Sequence, residues 1–434
     1  MRILHVSTRL ILGGSQENTV LSCEGQALRG HEVHLAFGPI YGPEGSLLER
    51  VESFSRKHPQ APIRTHVVEN LVREVSPLKD AKGLRELEAL IDRIEPHIVH
   101  THSSKAGILG RLAGWNVLRR RAGAGKPRTP GVVHTIHGPP FMPIEGGPLR
   151  RVKIRASNGA YTLAERLAAG RCHAIVSVAD AMTRQFLERG IGQPEIYKTV
   201  YSGMETRAFL EPAPGEDRDA VRASLGFDRG DFVVGTVARL AQHKGHDDLL
   251  EALGGELRQR KNWKLLWVGD GWWRERLIAR ARTLGLGVVI ASGDDAKRGT
   301  GDASIVLTGL VPPERVASLI RAMDVLAHPS AREGLPRTVP QALLTGVCPV
   351  AYDVDGTGEA CRDMETGRLV RLGDRAALRE AICWLFENPG ARERLAAEGR
   401  RWCAERFDAS HMVESLDEMY RVAIARAGDA GGRG

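Results

Sequence analysis

The sequence predicts an α/β protein made of two doubly wound, parallel-sheet domains. Short apolar runs alternate with helix-length stretches, which is the pattern of a parallel sheet with crossover helices. The alternation occurs twice, from the first residues and again from about residue 231. The acidic stretch between them, 205–230, holds Pro212, Pro214 and Gly215, the composition of a linker. The 434 residues, 42% of them hydrophobic, suffice for two domains and need no disulfide or metal to fold.

In chain order, 2–7 (RILHVS) reads as a buried strand, and a loop over 8–15 ends in Gly13-Gly14-Ser15. A helix over 16–29 follows, with Gly30 to stop it, then a strand over 32–37 (EVHLAF). Strands over 97–101, 131–136 and 173–178 and a helix over 105–119 continue the series. In the second series the strands are 231–236, 264–269, 304–309, 324–328 and 347–352, with a helix from 245. The expected division is 1–204 for the first domain, 205–230 for the linker and the start of the second, and 231–407 for the second. An amphipathic helix over 408–426 is expected to pack back on the first domain, and 427–434 to be a flexible tail. The polar, glycine-rich stretch 291–303 is long for a loop and reads as functional or mobile.

Charge and composition narrow the function. The formal net charge is +8, and the excess sits in 101–200, with 16 basic and 5 acidic residues. That segment includes Arg119, Arg120, Arg121, Lys126, Arg128, Arg150, Arg151, Lys153 and Arg155. Its candidate partners are an anionic membrane surface, a phosphorylated substrate or nucleic acid; the bland alternative is a solvated face. Aromatic residues make up 5%, too few for a base-stacking platform, and no nucleic-acid-binding motif is present, so no nucleic-acid partner is expected. The six cysteines are scattered without a CxxC pair, which points to a reducing cytosol. Nothing reads as a signal peptide or a membrane span. No GxxxxGK[ST] and no complete GxGxxG occurs, which removes the main support for kinase and dehydrogenase readings.

Four places carry candidate chemistry. Gly13-Gly14 lies between a strand and a helix N-terminus, where glycine permits positive φ and the helix end suits a phosphate; a plain turn is the alternative. Arg239 and Lys244, in GTVARLAQHKG, follow a strand at its carboxyl end and could neutralise a diphosphate; two surface cations on a solvated loop are the alternative. Glu333 and Gln341, in REGLPRTVPQALLTG, would sit before and inside a helix and could face one crevice, the first beside a sugar and the second beside a ribose; a surface charge is the alternative for Glu333. Gly334 there permits close backbone approach. His137, in VVHTIHGPPF, is held in a rigid turn past a strand and could donate a hydrogen bond to a sugar hydroxyl; a structural histidine is the alternative. His97, His100 and His102 invite a zinc reading, but 97 points away from the other two on a strand and no Cys, Asp or Glu lies near, so no metal is expected.

Seven motifs in order resemble the retaining glycosyltransferases of the GT-B fold in family 4, the glycosyl transferases group 1. They are the GG loop, VHTHSSKAGILGRLAG (99–114), VVHTIHGPPF (132–141), GTVARLAQHKG (235–245), LLWVGDG (265–271), VLTGLV (306–311) and DVLAHPSAREGLPRTVPQALLTGVCPVA (324–351). The resemblance implies two Rossmann-like domains facing a cleft, the acceptor mainly on the first and a nucleotide-sugar donor on the second. It implies that Arg239 and Lys244 hold the donor diphosphate, that Glu333 lies against the sugar, and that His137 contacts it from the first domain. The backbone near Leu310 and Val311 would meet the base, and Leu335, Arg337 and Thr338 are candidate backbone donors. The donor is a substrate, and neither cofactor nor metal is implied, because Arg and Lys stabilise the leaving diphosphate.

Two departures stand out. Gln341 replaces a second glutamate that binds ribose hydroxyls in the family, losing charge assistance worth ~1 kcal/mol or more. Pro336 stands where the family often has Gly, and offers no N–H. The expected activity is sugar transfer, UDP-sugar favoured over GDP-sugar, to a glycan or lipid-linked acceptor in surface-polysaccharide or glycolipid synthesis. The expected location is the cytoplasm, peripheral at the inner membrane face. The alternative is a nucleotide-sugar-binding protein without transferase activity.

Overall fold

The computed structural model describes residues 1–40, 45–142, 147–291 and 303–429. The chain divides into two compact units: Met1–Met204 with Ala409–Gly434, and Glu205–Asp408.

The first unit holds a seven-stranded sheet of β1 (Arg2–Ser7), β2 (Glu32–Phe37), β3 (Ile63–Val67), β4 (Ile98–His102), β5 (Gly131–Ile136), β6 (Ala174–Ser177) and β7 (Tyr197–Thr199). Its order is β3-β2-β1-β4-β5-β6-β7, and every pairing is parallel. The chain leaves the centre through β2 and β3 and returns on the other side at β4. The order therefore reverses between β1 and β4, the position where open α/β sheets bind ligands. Helix Ala409–Asp429 covers one face. Its Met412, Val413, Leu416, Tyr420 and Ala423 pack with Ile3, Leu21, Ile98, Val133 and Val176.

The second unit repeats the plan with β8 (Phe232–Val237), β9 (Trp263–Val268), β10 (Val288–Ile290), β11 (Ile305–Leu307), β12 (Val325–His328), β13 (Cys348–Asp353) and β14 (Arg368–Arg371). The order is β10-β11-β9-β8-β12-β13-β14, again all parallel, and it reverses between β8 and β12.

Apolar content explains which strands the sequence reveals. β1, β2 and β5 coincide with the expected runs because every residue but the first of β1 and β2 is buried. β3, β7, β10 and β14 were not expected. They lie at or next to sheet edges and are short and partly exposed, so they lack a continuous apolar run. The helix before Gly30 ends at Leu28, and Gly30 takes φ 82°, the left-handed turn that stops it.

Residues 205–230 do start the second unit, as expected, but the linker part of that reading needs correction. Helices Thr206–Leu210 and Arg218–Ser224 lie there and belong to the second unit. Phe209, Val221, Leu225 and Phe227 are buried. Arg218 and Arg222 donate to the two carboxylate oxygens of Asp324, at 2.5 and 2.6 Å. The prolines sit in the turn between these helices; the apolar residues beside them decide the packing. Of the expected tail, 430–434 lies outside the described residues, as does most of the 291–303 stretch.

Candidate active site

In the second unit the nominated residues lie on loops at the carboxyl ends of β8 and β12, on either side of the reversal point. The loop over 238–245 carries Arg239 and Lys244; the loop over 329–337 carries Glu333. Ala331 N–H and Ser330 Oγ both donate to His243 O, at 2.8 and 3.2 Å, which joins the loops. Gly245 has φ 73°, and a Cβ there would lie 1.9 Å from Pro329 O. Only glycine meets both demands. At the end of β9, a Cβ on Gly271 would lie 2.4 Å from Leu240 O. The loop with Leu310 and Val311 is tied in by Gly269 N–H donating to Gly309 O at 3.1 Å.

Lys244 Nζ donates to Glu333 Oε1 at 2.6 Å, and the same oxygen lies 3.1 Å from His328 Nε2. His328 Nδ1 is 3.1 Å from the hydroxyl of Thr338, the first residue of helix Thr338–Leu344. Glu333 N–H donates to Asp355 Oδ2 at 2.8 Å. The Glu333 side chain is 12% exposed. Burial alone would raise its pKa. The Lys244 ammonium and the His328 hydrogen bond outweigh burial and hold the carboxyl well below the usual range. Glu333 is therefore a fixed anion at neutral pH, an acceptor of hydrogen bonds and not a proton donor. An ammonium has three N–H donors, and Glu333 takes one. Arg239 is exposed, its guanidinium 5.6 Å from the Trp272 ring centre. Gly334, Leu335 and Pro336 are buried beneath the loop, Arg337 precedes the helix, and Gln341 lies on the helix, 8% exposed.

Sequence reasoning missed His328 and Asp355. His328 had a signal: a polar residue closing an apolar strand at the ligand-binding edge. Asp355 had none, being 22 residues from the backbone it meets.

In the first unit, Gly13 caps helix Gly14–Leu28 with φ 177°, extended backbone that any residue adopts. The expected positive φ at Gly13 is not realised. Glu17 N–H donates to Gly13 O at 2.9 Å, which closes the first turn of the helix. His137 follows β5 and is half-buried, its Nε2 3.0 Å from His102 Nδ1. His97 stands apart, its Nδ1 accepting from Arg2 N–H at 2.9 Å. His5 takes its place beside His100 and His102, and ring nitrogens of the three lie within 4.8 Å of one another. Each of these nitrogens is hydrogen-bonded to a neighbour instead of being directed at a common point. His5 joins His102 (2.9 Å) and Gln26 (2.7 Å), His100 joins Tyr420 (2.6 Å) and Thr135 (2.7 Å), and His102 joins His137.

The basic segment 101–200 does not act as one face. Arg111 is buried against Glu165 at 2.6 Å. Arg120 and Arg121 pair with Glu88, Asp92 and Glu95. Arg150, Arg151, Lys153 and Arg155 are exposed on helix Pro148–Ala169 and form no ion pair among the described residues. The same helix exposes Leu149, Val152, Ala156, Ala160, Leu163 and Leu167, spaced three and four apart, as one apolar stripe. Among the described residues no helix is long and apolar enough to cross a membrane.

Two Rossmann-like parallel sheets of this kind are the architecture of the GT-B glycosyltransferases. The chain belongs to the glycosyl transferases group 1: that family's profile matches residues 217–402, and a glycosyl transferase 4-like domain matches 13–198. EpsD of Bacillus subtilis is 27% identical over 340 residues, 77% of this chain and 79% of that protein. The UDP-Gal:alpha-D-GlcNAc-diphosphoundecaprenol alpha-1,3-galactosyltransferase of Escherichia coli is 27% identical over 315 residues, 72% of each chain. The crystal structure of HepE from Anabaena, solved with UDP and glucose, superposes with a TM-score of 0.71 at 19% identity, covering 97% of this chain and 99% of that one.

Proposed function

We propose that the protein transfers a sugar, with retention and without a metal, from a UDP-sugar to a glycan or lipid-linked acceptor; a GDP-sugar is the second choice of donor. The observation that carries this is Glu333, part-buried, ionised and held by Lys244 and His328 at the point where the second sheet reverses. A carboxylate engaged in this way balances positive charge better than it attacks carbon. Transfer then proceeds on one face of the sugar. The C1–O bond to the diphosphate breaks, the acceptor oxygen bonds to C1, and its proton passes to a diphosphate oxygen. Arg239 and Lys244 take up the charge that develops on the diphosphate, in place of a metal. Leu310, Val311 and Gln341 serve the nucleoside, and Gly13 and Gly14 a phosphate. The E. coli relative is named for a UDP-Gal donor and a diphosphoundecaprenol acceptor, and HepE was solved with UDP; both support this choice. Gln341 favours the alternative of a nucleotide-sugar-binding protein without transfer, but the complete Lys244–Glu333–His328 constellation favours transfer.

The exposed stripe and the cations of helix Pro148–Ala169 support docking on an anionic membrane at its cytoplasmic face, where such an acceptor would lie.

The test is calorimetric titration with UDP, GDP and ADP, with Lys244→Ala as control. A micromolar site corresponds to about −8 kcal/mol. Binding of one diphosphate, lost in the variant, supports the reading and selects the sugar panel. Anomeric analysis of the product then tests retention. Binding of none overturns the reading.

A further inference from the structure

The buried histidines of the first unit form one chain with the C-terminal helix. From His137 it runs through His102 and His5 to Gln26, then through Tyr420 and His100 to Thr135. Gln26 and Tyr420 are joined by Gln26 Nε2 donating to the phenol oxygen at 2.9 Å. All six members beyond His137 are buried. They come from five elements: β1, β4, β5, helix Gly14–Leu28 and helix Ala409–Asp429.

Donor and acceptor roles propagate along such a chain. Gln26 Oε1 can only accept, so the His5 nitrogen facing it, Nε2, carries the proton. A neutral imidazole has one proton, which leaves His5 Nδ1 as an acceptor, so His102 donates to it from Nε2. His102 Nδ1 is then the acceptor, and His137 must donate to it from Nε2. Burial keeps the members neutral: it lowers His5 to about 4 and His100 and His102 well below their ordinary value.

We propose that Gln26, His5 and His102 are positioning residues that fix His137 as its Nε2–H tautomer, so that Nδ1 meets a sugar hydroxyl as an acceptor. This rests on the sugar-transfer reading above. It reverses the donor role that the sequence suggested for His137. Turning the Gln26 amide end for end would reverse every bond of the chain and give His137 an Nδ1–H instead. The amide therefore selects the polarity that His137 shows its ligand, and Tyr420 holds the amide.

The experiment uses the full-length protein labelled with 15N-histidine. Long-range proton–nitrogen spectra at neutral pH report which ring nitrogen carries the proton, and His137→Asn, His102→Asn and His5→Asn assign the signals. The expected wild-type spectrum has the proton on Nε2 in all three rings. Gln26→Met, which cannot accept, should shift His137 towards Nδ1–H and lower sugar transfer by about tenfold or more. Gln26→Glu, which accepts, should retain the Nε2–H form. Tyr420→Phe releases the amide by another route and serves if Gln26→Met does not fold. A wild-type His137 protonated on Nδ1, or a His137 unchanged in both Gln26→Met and Tyr420→Phe, overturns the proposal. Loss of nucleotide binding by the wild type would instead overturn the sugar-transfer reading and leave the tautomer result standing.

Discussion

Lys244 and Glu333 lie 89 residues apart in the chain, follow different strands and meet at 2.6 Å. They flank the reversal point of one sheet, and the Lys244 ammonium holds the Glu333 carboxylate charged where a ligand would lie.

Removing Lys244 should expose this dependence in the pH profile. The folded pKa of Glu333 lies below its ordinary value of 4.5. The stability it contributes is therefore fully present above that value and is lost as pH falls through the ordinary value towards the folded one. Lys244→Met removes the cation and leaves burial, so the carboxyl pKa rises. The variant should lose about 10²-fold in kcat/KM. It should also gain an acid limb at mildly acidic pH that the wild type lacks. Rate profiles of the same shape in both proteins would contradict the assignment.

Gln341→Glu should tighten nucleotide binding. A carboxylate accepting from ribose hydroxyls makes a charge-assisted bond, worth ~1 kcal/mol more than the amide. Calorimetry with UDP should show a Kd lower by about fivefold. New transfer activity in this variant alone would favour the non-transferring reading of the natural protein.

Gly245→Ala should misplace both loops, 238–245 and 329–337. The left-handed φ and the contact with Pro329 O leave no room for a methyl group. The cost is expected to exceed ~1 kcal/mol in the denaturation midpoint, with nucleotide binding weakened in parallel. Wild-type values for both would show that the loops relax freely.

Arg111 and Glu165 form an ion pair that is almost fully buried. Deleting one partner leaves a buried charge uncompensated, at a cost of about 3–5 kcal/mol. Glu165→Ala should lower the urea midpoint sharply, and Arg111→Met with Glu165→Leu together should restore much of the loss.

The helix Pro148–Ala169 should carry membrane binding. Sedimentation with anionic liposomes is expected to fall with salt, and to be lost in Leu149→Glu with Leu163→Glu or in a variant replacing Arg150, Arg151, Lys153 and Arg155. Each cation near an anionic leaflet is worth ~1 kcal/mol. Equal binding to neutral liposomes, or full binding by both variants, would remove the docking role.

The central strands were legible because burial on both faces writes an uninterrupted apolar run, as in Val132 and Val133 of β5. Edge strands such as Tyr197–Thr199 leave no such mark. At the candidate site, Lys244 and Glu333 could be nominated from their loops, but not their contact, nor the part of His328 in it. The chain from His137 to Tyr420 was hidden more deeply. Gln26 and Tyr420 are 394 residues apart, and neither stands in a pattern that marks it as polar core. Only the return of the last helix brings them together.

That return also orders events during synthesis. The second unit, Glu205–Asp408, is contiguous and has every residue it needs once position 408 has cleared the ribosome. The first unit begins emerging earlier yet finishes later, because Met412, Leu416 and Tyr420 of its core are translated after the whole of the second unit. The nascent chain thus carries an open apolar face on its older half while its younger half closes. Emergence of helix Ala409–Asp429, not of the first strand, is the moment at which the first unit and its histidine chain come into being.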